Sequence, residues 1–205
     1  MLFRSGGIHS ALLASFGLTG PSTIVEGKRG FCAIFSTQSD PSAITKDLGD
    51  AFTVVNATYK LFPTNGGIHT SIVAVDRLVR EHGFTAADVV RIRAALPEKV
   101  ILHGAGIRYP RDVISAQFSL AYSLALRLIK GQNALESYTD ATLWTDPTLV
   151  RIMDMVETSV DPASEGELDH MATVTIDLKD GRSLKATEKY RKGSPQNPEI
   201  GRAHV

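Results

Sequence analysis

The segment Tyr59-Lys60-Leu61-Phe62-Pro63-Thr64-Asn65-Gly66-Gly67-Ile68-His69 gathers residue types suited to holding an anion. Lys60 stands at the end of a β-rich run, 53–59, that reads as a strand. Asn65, Gly66 and Gly67 lead into a helix whose first turn carries His69. Unpaired N–H groups at a helix start, with the macrodipole behind them, favour a negative group. Glycines would let a ligand come close to the backbone, and an imidazole can change charge near neutral pH. Together these residues make a carboxylate-binding corner. They also fit a surface lysine and a helix-start histidine with structural roles alone.

Other chemistry-bearing residues point less clearly. His103 lies in Leu102-His103-Gly104-Ala105-Gly106, a flexible loop whose glycines complete no phosphate-loop pattern. His9, His82 and His170 are scattered, so a metal would need ligands from distant segments, and none is expected. Ser119 lacks the flanking glycines of a nucleophile elbow and is expected to pack inside a helix. Cys32 reads as a small core residue, Asp180 as part of a turn, and Trp144 as an apolar anchor.

The elements that must position these groups follow from periodicity and punctuation. Residues 7–16 read as a helix end stopped by Gly17, and 42–49 as a short helix after Asp40-Pro41. Ile68, Ile72, Val75, Leu78 and Val79 mark one face of an amphipathic helix ended by Gly83. Thr85-Ala86-Ala87-Asp88 resembles a capping box for another short helix. Val89–Leu96 reads as a strand ended by Pro97, and 113–129, apolar almost all round, as one central buried helix. Asp146-Pro147 opens a further helix. Alternation through Ala172, Val174, Ile176 and Leu178, the Asp180-Gly181 turn and 183–187 predict a hairpin. Without a regular βαβ rhythm the class is α+β: a small, mostly antiparallel sheet packed by helices. Residues 6–50 have too little apolar surface for a core of their own.

Composition narrows the function classes. The chain has 205 residues, enough for one domain or one and a piece, and 43% of them are hydrophobic, so wholesale disorder is excluded. Twenty-two basic residues balance 22 acidic ones with no basic stretch, which argues against nucleic acid or an anionic membrane as partner. A single cysteine excludes a disulfide framework and a self-contained iron–sulfur cluster. The longest apolar stretch is broken by Ser115, Gln117, Ser119, Ser123 and Arg127, so it is a core helix and not a membrane span. No basic and apolar leader opens the chain, and a cytoplasmic location is expected. The last six residues, Ile200-Gly201-Arg202-Ala203-His204-Val205, are what ATC GGA AGA GCA CAC GTC would encode, a common sequencing adaptor. Leu2-Phe3-Arg4 fits the same adaptor read on the other strand, so 1–5 and 200–205 are expected to be adaptor-derived.

Several segments, in order, resemble the MmgE/PrpD family, which includes 2-methylcitrate dehydratase and cis-aconitate decarboxylase. Gly17-Leu18-Thr19-Gly20-Pro21 with Glu26-Gly27-Lys28-Arg29-Gly30-Phe31 resembles its G-x-T-G-P … E-G-x-x-G-F stretch. Tyr59-Lys60-Leu61-Phe62-Pro63, followed by His69, resembles its K-x-Y/F-P motif and helix-start His. Pro110 with Ala116-Gln117-Phe118-Ser119-Leu120-Ala121-Tyr122 resembles its P … A-K-F-S-L-P-Y helix, and Gly193-Ser194-Pro195 with Asn197-Pro198 its late segment.

The resemblance implies a C-terminal fragment: 1–51 as the end of an all-helical domain, 52–192 as an α+β lid domain, and 193–205 as a tail. It implies a lyase of small di- or tricarboxylates, needing no metal, cluster or other cofactor, most plausibly dehydrating a 2-methylcitrate-like substrate in propionate metabolism. It assigns Lys60 and His69 as catalytic residues and Lys60, Asn65, Gly66 and Gly67 as substrate-binding ones, with Lys60 clamping a carboxylate. The main acid/base Asp and His residues of the family match nothing here and belong to the part upstream. The Gly104-Ala105-Gly106 region stands where related decarboxylases carry a Tyr, and Tyr109 is out of register, which weakens the decarboxylase alternative. A homodimer is implied for the full-length protein, while the fragment alone is expected to be inactive. The alternative from another class is a non-catalytic carboxylate-binding or oligomerisation module.

Overall fold

A computed structural model describes residues 2–164 and 170–198, so the adaptor-like tail at 200–205 lies outside the described residues. The chain divides into two compact units, Met1–Thr53 and Val54–Val205.

The first unit holds helix α1 (Leu2–Ser15) and the short α2 (Phe31–Phe35). Residues 42–49 do not form the expected helix. A 3-10 turn, Pro41–Ile44, is capped by the Asp40 carboxylate, which accepts from Ser42 N at 3.0 Å. Asp47 then takes a left-handed φ of 56° and turns the chain out of any helix. Among the described residues of this unit only Gly30 is buried.

The second unit contains the core. The expected strand at 53–59 is absent: Thr53–Asn56 is a 3-10 turn, and Val54 and Val55 are exposed. Strand propensity is largely the packing of branched side chains against a neighbouring strand, and among the described residues no strand pairs with this run. A single backbone bond anchors its end, from Tyr59 N to Gly193 O at 2.9 Å.

After the Phe62–Asn65 loop comes α3 (His69–His82), ended by Gly83, as the periodicity predicts. Its buried face is Ile72, Ala74, Val75 and Leu78. Thr85 N and Oγ1 both donate to Asp88 Oδ2, at 2.8 and 2.7 Å. Asp88 N donates to Thr85 O at 3.0 Å and not to the hydroxyl, so the expected capping box does not form and the pair closes a turn, because the next residues enter β1 (Val89–Leu96). A short helical turn α4 (Glu98–Val100) runs into the irregular Ile101–Ala105.

The apolar run 113–129 is two helices, α5 (Val113–Phe118) and α6 (Leu120–Lys130). Ser119 interrupts them with ψ 116°. Its hydroxyl donates to Ile107 O at 2.6 Å and accepts from Tyr122 N at 3.1 Å, so it caps α6 instead of lying within a helix. Helices α7 (Leu135–Thr139), α8 (Ala141–Trp144) and α9 (Pro147–Asp154) follow, with Pro147 opening α9 as expected.

Then come β2 (Val156–Val160), β3 (Ala172–Leu178) and β4 (Ser183–Glu188). The sheet order is β2-β1-β3-β4. Strand β2 pairs parallel to β1, which sequence alone left undetected, while β1–β3 and β3–β4 are antiparallel. The architecture is α+β with a mostly antiparallel sheet, as expected. The hairpin loop is Lys179-Asp180-Gly181, one residue longer than anticipated, since Leu178 N still donates to Arg182 O at 2.8 Å. On β3, alternate residues from Ala172 to Leu178 are buried. Helix α3 packs on β3 and β4, and α6 packs on α3 and α9. Each fully buried Leu or Ile in this core, such as Leu124 or Ile152, stabilises it by about 1.5–3 kcal/mol.

Candidate functional site: adjoining basic clefts

Three clefts adjoin on one side of the second unit. The first, about 340 Å³, is lined by Lys60, Pro63, Thr64, Asn65, His103, Gln117 and Phe118. Asn65 and His103 also line the second, about 240 Å³, with Gly67, Lys99, Val100 and His170. His170 extends into the third, about 120 Å³, whose walls include Lys189, Arg191 and Ser194. Cations and imidazoles thus recur across all three, and among the described residues no carboxylate lines any of them. A concave surface of one charge sign raises the local concentration of an oppositely charged ligand.

Lys60 is held by short-range geometry. Its Nζ donates to Thr64 O at 3.1 Å across the Phe62-Pro63 bend. An ammonium has three donors, so this bond aims the group without exhausting it. The preceding residue is tied to the C-terminal segment through Tyr59 N and Gly193 O. Gly193 has φ 88°, and a Cβ there would lie 2.6 Å from Tyr59 O, so a side chain would push the two segments apart. Gly193 N donates to Asn197 O at 2.8 Å and Asn197 Nδ2 to Tyr190 O at 3.2 Å, which folds 190–197 into a compact turn.

The predicted residues come together, though not all in the role their spacing suggested. Asn65 caps the helix start, its Oδ1 accepting from Gly67 N at 2.9 Å, while its Nδ2 donates to His103 O at 3.3 Å. One of the N–H groups expected to meet a ligand is therefore taken by the protein. The two glycines serve packing: a Cβ on Gly66 would collide with the Arg191 guanidinium, and one on Gly67 would sit 2.8 Å from Val100. His69 is 2% exposed and packs edge-on to Phe62, ring centroids 5.2 Å apart. It lines none of the three clefts. Burial pushes its pKa down to about 4; the carbonyls of Thr64 and Phe62 pull upward, while Arg191 and Lys60 push further down. The imidazole is neutral at pH 7, and its Nε2 has no partner among the described residues.

Sequence reasoning set His103 aside as a loop residue, yet it stacks on Phe118, centroids 5.5 Å apart, and lines two clefts. Lys99, His170, Lys189, Arg191 and Ser194 were missed because they reach the clefts from separate segments. The signal available was the short basic run Lys189-Tyr190-Arg191-Lys192 before Gly193-Ser194-Pro195, an exception to the expectation of no basic stretch. Tyr109 faces away, its hydroxyl donating to Asp154 Oδ1 at 2.5 Å. Among the described residues there is no cluster of His, Cys, Asp or Glu able to hold a metal ion, and no helix long and apolar enough to cross a membrane. Cys32 is half-buried in the first unit.

The fold is an α+β domain whose clefts are lined by lysine, arginine and histidine side chains and, among the described residues, by no carboxylate. The profile of the MmgE/PrpD C-terminal domain matches residues 62–202, and the chain belongs to that family. It is also similar to the cis-aconitate decarboxylase-like protein oryM of Aspergillus oryzae (strain ATCC 42149 / RIB 40), 26% identical over 203 residues. The match covers 91% of this chain and 42% of that relative's length.

Proposed function

We propose that this chain is the carboxylate-holding part of a lyase acting on small di- or tricarboxylates. The observation that carries the reading is the run of clefts around Lys60, Asn65 and His103, lined among the described residues by cations and imidazoles and no carboxylate. Lys60 is the carboxylate clamp: its ammonium neutralises one carboxylate and fixes the carbon beside it for proton transfer. Removing a proton from a carbon next to a carboxylate builds negative charge toward that carboxylate, so a cation held there lowers the barrier. Neutral, buried His69 backs the Phe62–Asn65 loop and positions it. Among the described residues no carboxylate lines these clefts, and the imidazoles of His103 and His170 are the lining groups able to exchange a proton near neutral pH.

Dehydration of a 2-methylcitrate-like acid is the preferred reaction. Its support is Gly104, with φ 107° and a Cβ position 2.9 Å from Phe118 Cδ1, where a tyrosine would be strained and crowded. Decarboxylation of a cis-aconitate-like acid is the second reading, favoured by the name of the relative. A cytoplasmic homodimer without cofactor completes the proposal.

Lys60→Ala in the complete protein tests it, with water loss from 2-methylcitrate and CO2 release from cis-aconitate followed in parallel. The expected result is a fall in kcat/KM of about a hundredfold on the favoured substrate with an unchanged unfolding midpoint. Full activity in the variant would remove Lys60 from the site. CO2 release from cis-aconitate without dehydration of 2-methylcitrate would replace the first reading by the second.

A further inference from the structure

The third cleft carries features that a single lysine clamp does not explain. Arg191 is half-buried, its guanidinium packed where a side chain on Gly66 would otherwise lie and close enough to His69 to influence it. No carboxylate pairs with it among the described residues. Burying a cation without a counter-ion is unfavourable, so an unpaired guanidinium in a cleft wall marks a place where an anion completes the site.

Ser194 supplies an independent observation in the same wall. The residue is 8% exposed, and its Oγ has no hydrogen-bond partner among the described residues. Its backbone N–H is already committed to Arg191 O at 3.1 Å, so the turn is closed without the hydroxyl. A buried hydroxyl that the fold does not use is a donor available to whatever enters. Lys189 and His170 add basic character, and the other described lining residues, Thr58, Tyr190 and Gln196, carry no acid.

The cleft measures about 120 Å³, the smallest of the three. His170 lines both this cleft and the next, which in turn shares Asn65 and His103 with the Lys60 cleft. A guanidinium is a planar fork matched to the two oxygens of a carboxylate, whereas an ammonium is a point charge. The two ends of the run therefore offer different cations to different parts of one ligand.

We propose that Arg191 and Ser194, with Lys189 and His170 beside them, form a second carboxylate subsite that engages another carboxylate of the same ligand held at Lys60. This rests on the carboxylate-binding reading above and deepens it: the site selects acids with at least two carboxylates.

The test is calorimetric titration of the full chain with tricarballylate, an unreactive tricarboxylate, and with inorganic phosphate. Arg191→Met is expected to weaken tricarballylate about tenfold, the loss of one charge-assisted contact, and Lys60→Met by a similar factor. Ser194→Ala, which removes no hydrogen bond made by the fold, is expected to weaken it about threefold and carries the test if Arg191→Met does not fold. Arg191→Lys should fall between wild type and Arg191→Met. If Lys60→Met weakens tricarballylate while Arg191→Met and Ser194→Ala stay within twofold of wild type, the second subsite is overturned and the first reading stands. If none of the variants changes affinity, both fall. If Arg191→Met costs phosphate as much as tricarballylate, the cleft is a general anion pocket, and the claim that it reads a second carboxylate of one ligand is overturned.

Discussion

His69 is neutral where it sits, and that has a measurable consequence. Its pKa is about 4 in the folded chain and 6.5 when exposed, so the unfolded state binds more protons between those values. The lowered value means full stability above pH 6.5, progressively lost as the pH falls toward 4. The loss amounts to about 3 kcal/mol at the acid end. Urea midpoints measured from pH 7 to 4.5 should fall steeply for the native chain and less so for His69→Phe, which has nothing to protonate. Equal slopes would mean that His69 is exposed to solvent. At this scale the sequence disclosed which residues gather but not what each one does. Lys60, Asn65 and His69 do converge, because they are near neighbours in the chain. Burial of His69 was invisible, since it depends on Phe62 packing across a bend and on Arg191 arriving from far along the chain.

Ser119 governs the element scale. The apolar run around it favours one continuous helix, and helical periodicity alone cannot show where a buried hydroxyl turns outward to cap. The residue is fully buried and bonds to both Ile107 O and Tyr122 N. Ser119→Ala would therefore remove a cap and leave the part-buried Ile107 carbonyl without its donor. The expected cost is about 2 kcal/mol, read as a lower urea midpoint with unchanged slope. A change within 0.5 kcal/mol of zero, the order of a neutral surface substitution, would show that the two helices can fuse. Strands were legible where alternation met a partner: β1 has the predicted ends, and the hairpin is in place. The run at 53–59 has the same residue types without a neighbouring strand, so propensity misled there. Parallel β2 was missed because only its first residue, Val156, is buried and no alternation marks it.

At the scale of the whole molecule, stability is unevenly shared. Every residue of the buried apolar cluster, from Ile68 to Ala186, lies in the second unit. The first unit exposes Ile8, Phe16, Phe31, Ile34 and Phe35. Patches of that kind bind other surfaces or aggregate. Deleting residues 1–53 should leave the thermal transition of the remainder within a few degrees and reduce binding of a hydrophobic dye. Loss of the transition would mean that the core depends on the first unit. The sequence did signal this imbalance, because residues 6–50 lack the apolar content for a core. The family resemblance located the motifs, whereas the cleft-lining residues from separated segments, Lys99, His170 and Arg191, needed the fold to bring them together.

The hydrogen bond from Tyr59 to Gly193 also sets an order of events. A chain is made from its N-terminus, so the lysine arm leaves the ribosome long before the turn that anchors it has been synthesised. Until Gly193 emerges, Tyr59 N has no carbonyl to donate to, and the third cleft has no Arg191 or Ser194. Helix α3 can be wound and β1 extended by then, but the proposed anion site is assembled only after all four strands of the sheet have been synthesised. A product truncated ahead of that turn would keep much of the core and lose the anchor of the Lys60 segment.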